Sequence, residues 1–314
     1  MTLTELRYIV AVARERHFGR AAEACYVSQP TLSVAVRKLE DELGVVLFER
    51  GAGEVSVTPI GERIVEQAQR VLEEAARVKE LAKQGKDPLN GPLRMGVIFT
   101  IGPYLLPHLI PALKKRAPRM PLVLQEQYTH KLLELLRQGE IDVAILALPF
   151  EANGLLVQPL YDEPFVVAVP RNHPWATRKS VSSRELKDEH MLLLGTGHCL
   201  RDQVLEVCPE LNRFITAADG IQKSFEGSSL ETIRHMVASG TGITVLPVTA
   251  VPRGAKRDRL LAYIPFTKPV PDRRVVLAYR KTFPRPEAIE AVRQAVLACD
   301  LPCVQMLDLR AETV

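Results

Sequence analysis

The sequence predicts an α/β protein in three parts: a small helical domain ending in a hairpin, one long helix, and a larger domain of two α/β lobes. Three observations carry this. Apolar residues over the first 40 positions recur at helical spacing, residues 59–86 keep an unbroken helical register, and from Leu93 onward apolar strands alternate with amphipathic helices. With 314 residues, 46% of them hydrophobic and 25% charged, each part can bury a core.

Leu3, Leu6, Ile9, Val10 and Ala13 form one face of a first helix, and residues 19–25, rich in alanine, form a short second one. In the third, Ser28 is a good N-cap and Pro30 suits the opening turn, where its missing N–H costs nothing. Leu32, Val36 and Leu39 face inward. Gln29, Thr31, Ser33, Arg37 and Lys38 are left outward with Pro30, a mixture of base-edge readers and phosphate binders that suits a DNA-recognition helix, although a solvated helix face has the same composition. The acidic run Glu40, Asp41 and Glu42 requires such a helix to enter a groove N-terminus first. Residues 45–50 and 54–57 alternate around Gly51, Ala52 and Gly53 as a hairpin wing, with Arg50 the expected phosphate contact.

Thr58-Pro59 opens the long helix, in which Ile64, Val71 and Val78 repeat at a spacing of seven with Ala68, Ala75 and Ala82 beside them. So narrow a seam favours pairing with a second copy of the chain over packing on its own domain. Residues 85–92 read as a linker. Beyond it, strands at 93–98, 122–124 and 143–146 alternate with helices at 104–115 and 131–138, which implies a parallel sheet with a cleft at the strand C-terminal ends. A second set runs from 165–169 to 244–247, and a strand at 275–279 with a helix at 286–298 completes the chain. Two crossings, near 160–164 and 264–269, would divide it into lobes. Thr100 and Thr129 follow the first two strands, so both hydroxyls could reach one cleft mouth.

Residues 197–209 contain two cysteines nine positions apart. Leu200, Val204 and Val207 recur at spacings of four and three, and Pro209 ends the pattern. In a helix Cys199 and Cys208 would lie roughly 13 Å apart, beyond the ~7 Å a disulfide tolerates, so the pair can close only if the helix unravels. Either these are small core residues or the segment is a two-state switch. Cys199, at the helix start with His198 and Arg201 beside it, has the setting that lowers a thiol pKa; Cys208 has no adjacent cation, so it reads as the resolving partner. Cys25 looks like helical core, and Cys299 and Cys303 like surface or packing residues. No Cys-x-x-Cys pair occurs, and neither a metal nor a cofactor is expected.

Charged residues throughout positions 1–20 exclude a signal peptide, and no apolar run approaches the ~20 residues that span a membrane; a cytoplasmic protein is expected. The net charge of +4 does not itself point to DNA. Residues 1–90 carry 13 basic against 14 acidic side chains, and the rest 28 against 23.

Phe18-Gly19-Arg20-Ala21-Ala22, Ser28-Gln29-Pro30-Thr31-Leu32-Ser33, Leu39-Glu40, Leu43-Gly44, Leu47-Phe48-Glu49-Arg50 and Thr58-Pro59 together resemble the winged helix-turn-helix of LysR-type transcriptional regulators. The resemblance covers the whole chain. It implies a DNA-binding domain at 1–58, a linker and dimerisation helix at 59–90, and a regulatory domain at 91–314 built like periplasmic binding proteins, with lobe I at 91–161 plus 268–314 and lobe II at 162–267. Residues 197–203 with Cys208 are similar to the hydrogen-peroxide-sensing branch of that family. That branch implies Cys199 as the peroxide-reacting thiol and Cys208 as its resolving partner. Thr100, Thr129, His198 and Gln203 then surround the peroxide, with Arg273 or Arg274 as a distal arginine. Implied partners are double-stranded promoter DNA, hydrogen peroxide, further copies of the chain in a homodimer and homotetramer, and RNA polymerase, with no membrane and no enzymatic turnover. The alternatives are a regulator responding to a small organic effector in the interlobe cleft, with both cysteines incidental, and a thiol peroxidase.

Overall fold

A computed structural model describes residues 1–50, 55–84, 88–209, 229–253 and 258–307, with backbone alone at 50 and 79–84. The chain divides into two compact units, Met1–Pro88 with Thr282–Pro286, and Leu89–Lys281 with Glu287–Val314.

In the first unit, α1 (Leu3–Glu15) opens on a capping box in which Thr2 accepts from the Glu5 amide and the Glu5 carboxylate accepts from the Thr2 amide at 2.7 Å. Helix α2 (Phe18–Ala24) is capped by His17, and α3 (Gln29–Leu43) by Ser28, whose Oγ accepts from the Thr31 amide. Gly44, at φ +68°, ends α3 in the left-handed conformation that glycine adopts without cost. Strands β1 (Phe48–Arg50) and β2 (Val55–Val57) pair antiparallel as the expected wing, shorter than its apolar run, and its tip lies outside the described residues. Thr58 Oγ accepts from the Gly61 amide and so starts α4 (Pro59–Gln84).

The seam on α4 needs correction. Ile64 and Val71 pack on the core of this same unit, among Leu6, Ile9, Val12, Leu32, Val36 and Leu39, and Ala68 is buried in it; only Val78 of the three heptad residues stands exposed. The packing of α4 on α1 therefore occupies the first two steps of a seam that the spacing had assigned to another chain. A repeat of seven records which face is buried, not what buries it.

The second unit is built on one sheet in the order β10 (Gln305–Met306), β6 (Leu155–Pro170), β9 (Asp272–Arg280), β5 (Val143–Ala147), β3 (Leu93–Ile98) and β4 (Leu122–Gln127), with β7 (Thr244–Pro247) and β8 (Leu261–Pro265) also pairing to β6. Strands β3 (Leu93–Ile98), β4 (Leu122–Gln127) and β5 (Val143–Ala147) are parallel, joined by α5 (Gly102–Arg116) and α6 (Thr129–Arg137). The parallel sheet expected of these three strands is present. Strand β9 (Asp272–Arg280) runs antiparallel to both β5 and β6, because it returns late in the chain with no helical crossover to keep it parallel.

Strand β6 (Leu155–Pro170) is continuous through the first expected crossing. Its first part pairs with β9 and its last residues with β7 (Thr244–Pro247) and β8 (Leu261–Pro265), with one register shift between Pro159 and Tyr161. The second lobe's core gathers Phe165, Val167, Trp175, Leu200, Val204, Cys208, Ile233 and Leu246. Helices α7 (Cys199–Val207) and α8 (Leu230–Ala238) pack into it. Helix α9 (Pro286–Leu297) and β10 (Gln305–Met306) complete the unit.

Candidate functional sites: a DNA-reading helix and a thiol cavity

At the start of α3, Gln29, Pro30, Thr31, Arg37 and Lys38 are exposed and Ser33 is half-buried, on the face opposite Leu32, Val36 and Leu39. Lys38 lies 3.6 Å from Glu5, so this cation also steadies α1. The acidic end of α3 is partly turned inward. Glu40 accepts the Leu47 and Phe48 amides at 2.7 and 3.2 Å and holds the entry to the wing, and Glu42 binds the chain's N-terminal ammonium. Two residues that the sequence reading did not single out are exposed here as well: Tyr26 is 95% exposed, in the turn before α3, and Val34 is 68% exposed on it. An apolar residue facing outward from a reading helix suits contact with a thymine methyl group. The side chain of Arg50 lies outside the described structure.

The second site forms where α7 begins. Gly197 turns the chain at φ +95°, and a Cβ placed there would lie 3.3 Å from the Tyr128 ring, so both conformation and space call for glycine. Cys199 is half-buried and opens the helix; Cys208, its C-cap, is buried in the second lobe's core. Neither cysteine is in a disulfide, and the nine helical residues from Cys199 to Val207 keep them apart.

Against Cys199 lies a cavity of about 10 Å³, lined among others by Phe99, Thr100, Tyr128, Thr129 and His198. That volume is near the least that holds a single water molecule. Two of the lining side chains, Thr129 through Oγ1 and His198 through Nε2, carry a buried polar atom with no hydrogen-bond partner. Thr100 is committed: its Oγ1 and its carbonyl each accept from the Arg273 guanidinium at 2.9 Å. Arg273 in turn pairs with Glu163 at 2.7 Å, both side chains fully buried, and Glu163 accepts from the Thr249 amide at 3.1 Å and from its hydroxyl. A chain of charge-assisted bonds thus runs from Thr100 to Thr249. Burial alone would lower the Arg273 pKa, but Glu163, Cys199 and Tyr161 together raise it, so the guanidinium is firmly charged and Cys199 is within its field.

Three sequence expectations meet this geometry. Of the two candidate arginines, Arg273 reaches the cavity residue Thr100, whereas Arg274 faces Asp162 in a half-exposed bidentate pair. Burial pushes the His198 pKa down, against the positive charge expected of it, and the nearby buried cation is Arg273. Gln203 is buried but absent from the small cavity's lining. Its Nε2 donates to the Leu148 carbonyl at 2.7 Å, and it borders a separate groove of about 420 Å³ with Glu206, Val207, Arg273 and Arg274.

Sequence reasoning missed Phe99, Tyr128, Glu163 and Thr249. Glu163 alone left a trace, as a carboxylate inside an otherwise buried strand, which demands a partner cation. Cys25 packs at the edge of the first unit's core, and burial raises its pKa; Cys299 is buried with its pKa pushed up to about 11, and Cys303 is exposed.

Both parts of the chain match known proteins. Residues 3–62 match the family described as bacterial regulatory helix-turn-helix protein, lysR family, and residues 86–299 the LysR substrate binding domain. The chain is 46% identical over 298 residues to the Escherichia coli DNA-binding transcriptional dual regulator OxyR, covering 95% of each chain. Full-length OxyR from Pseudomonas aeruginosa, carrying a cysteine-to-aspartate replacement, superposes with a TM-score of 0.80 at 52% identity over 99% of both chains. A hydrogen-peroxide-bound cysteine mutant of Corynebacterium glutamicum OxyR matches at 37% identity and a TM-score of 0.63, over 94% of this chain and 91% of that one. With a family helix-turn-helix domain, a family regulatory domain and this likeness along almost its whole length, the chain belongs to the LysR family of transcriptional regulators, in its OxyR branch.

Proposed function

We propose that this protein senses hydrogen peroxide through Cys199 and converts the signal into a change in how it holds promoter DNA, activating antioxidant genes. The observation that carries the reading is the cavity beside Cys199. At about 10 Å³ it leaves room for a ligand little larger than water and none for an organic effector, and two of its wall residues hold unpartnered polar atoms.

In this reading the Cys199 thiolate attacks one peroxide oxygen. The S–O bond forms as the O–O bond breaks, and hydroxide leaves to become water, giving a sulfenic acid. Arg273, bonded to Thr100 on the cavity wall, places a positive charge where the departing anion forms, and Thr129 and His198 supply hydrogen-bonding groups that orient the peroxide. The Cys208 thiolate then attacks the sulfenic sulfur, a second hydroxide leaves, and the disulfide forms. In total one peroxide and two thiols give one disulfide and two waters. Because the cysteines lie about nine helical residues apart, α7 must unwind before the bond can close. Helix α4 pairs two chains through the face that α1 leaves open, where Val78 stands exposed, the regulatory lobes pair the dimers, and the rearranged lobes reposition the α3 helices on DNA in contact with RNA polymerase. Gln29, Pro30, Thr31, Ser33, Arg37, Lys38 and Arg50 make the DNA contacts, Gln203 supports α7 from the groove side, and the protein works in the cytoplasm. Among the described residues no helix is long and apolar enough to cross a membrane.

One equivalent of hydrogen peroxide on reduced protein, followed by thiol blocking and peptide mass spectrometry, should give a Cys199–Cys208 crosslink within seconds. Cys199→Ser should abolish the peroxide response and spare DNA binding. A Cys199→Ser protein that still responds overturns the mechanism. The second reading, an organic effector, has the 420 Å³ groove beside α7 in its favour, and a thermal shift with an organic ligand and no thiol loss would support it.

A further inference from the structure

Thr100 and His198 in the lining of the thiol cavity are buried, whereas Phe99, Tyr128, Thr129 and Cys199 are half-buried, and of these Phe99 and Tyr128 present the largest side chains. The three rings form a mutual edge-on cluster. Phe99 and Tyr128 have centroids 5.3 Å apart at 75°, Tyr128 and His198 4.9 Å at 70°, and Phe99 and His198 6.0 Å at 61°. On its far side Tyr128 stacks against exposed His130 at 5.8 Å and 10°, and Gly197 leaves no gap beneath the ring. Tyr128 is therefore braced on several sides and cannot shift far without breaking ring contacts.

We propose that Phe99 and Tyr128 are specificity-determining residues: the braced aromatic wall between the Cys199 cavity and solvent is a size filter that admits hydrogen peroxide and rejects alkyl hydroperoxides. The inference rests on the peroxide reading above and sharpens it to a substrate class. Chemistry alone does not discriminate. A thiolate attacks an alkyl hydroperoxide in the same way, with the S–O bond forming, the O–O bond breaking and alkoxide leaving to become the alcohol. Discrimination must come from space, and a ~10 Å³ cavity has none for a tert-butyl group. Deleting a ring changes that, since an apolar cavity of about 150 Å³ admits a molecule the size of benzene.

The test measures the rate of Cys199 oxidation by hydrogen peroxide and by tert-butyl hydroperoxide in full-length native protein, Tyr128→Ala, Phe99→Ala and Tyr128→Phe. The native protein should favour hydrogen peroxide strongly. Tyr128→Ala and Phe99→Ala should each lower that preference by about tenfold or more, through a faster alkyl reaction, a size in line with the discrimination lost when a packed pocket is opened by a few carbon atoms. Tyr128→Phe, which restores the ring without its hydroxyl, should restore the preference. A preference unchanged in both alanine variants, or both rates falling by the same factor, overturns the filter while the peroxide reading stands. A native protein whose Cys199 does not react with hydrogen peroxide at all overturns both.

Discussion

Helices α3 and α7 each present their first turn to a partner, yet they are built in opposite ways. Helix α3 has 15 residues, a Ser28 hydroxyl on the Thr31 amide, a proline in its first turn and Gly44 closing it in the left-handed region. Helix α7 has nine residues, no side-chain cap from His198, and Cys208 where a glycine would stand. A cap contributes about 1 kcal/mol, and helices below ~12 residues are marginal without tertiary support. A reading helix must keep its shape on DNA, whereas a helix that separates two reacting thiols must be able to lose its own. What holds α7 lies outside it: Leu200 and Val204 in the lobe core, Gln203 on the Leu148 carbonyl, and the charged network that ends beside Cys199.

Removing that support should have the largest effect. Glu163→Ala strands the buried Arg273 guanidinium and should cost about 3–5 kcal/mol in denaturant unfolding of the regulatory domain. A loss below 1 kcal/mol would mean that the network carries no load. Ser28→Ala should cost about 1 kcal/mol in the DNA-binding domain and weaken DNA binding, leaving peroxide oxidation at the native rate. Smaller still, Glu206→Gly on the exposed face of α7 should destabilise that helix by about 0.6 kcal/mol and speed disulfide closure roughly threefold, with sulfenic acid formation unchanged. Equal closure rates would show that unwinding does not limit the switch.

The least effect is a pH dependence. Burial holds the His198 pKa below its ordinary value of 6.5, so the unfolded chain takes up this proton first as pH falls. Its contribution to stability is complete above about pH 6.5 and is lost as pH drops from there toward the lowered folded value. His198→Gln should flatten that part of the stability curve, read by thermal melts between pH 7.5 and 5 at about half-unit steps.

How much of this was legible in the sequence follows from how far apart the interacting residues lie. Ser28, Pro30, Gly44 and Thr58 act within four residues of themselves, so the ends of α3 and the start of α4 could be read directly. Glu163 and Arg273 meet across 110 positions, and no local pattern pairs them or separates Arg273 from Arg274. The charge expected of His198 failed because adjacency reveals which groups are near but not how dry they are. The parallel run of β3, β4 and β5 was legible in their alternation with helices, whereas the antiparallel entry of β9 was not, because a strand that returns late in the chain carries no local mark of its direction. The aromatic wall was invisible because Phe99 and Tyr128 sit just past different strands, β3 and β4, and meet only because those strands lie side by side in register.

Strand β6 has a mechanical consequence. A single run of extended backbone, hydrogen-bonded to β9 over its first part and to β7 and β8 at its end, belongs to both lobes at once. It cannot lengthen, so the lobes cannot be drawn apart along it, but extended backbone yields readily to torsion. It is an axle. Under the proposed switch, loss of α7 would let the second lobe turn about that axle, and a few degrees at the strand would become a displacement that grows with distance from it.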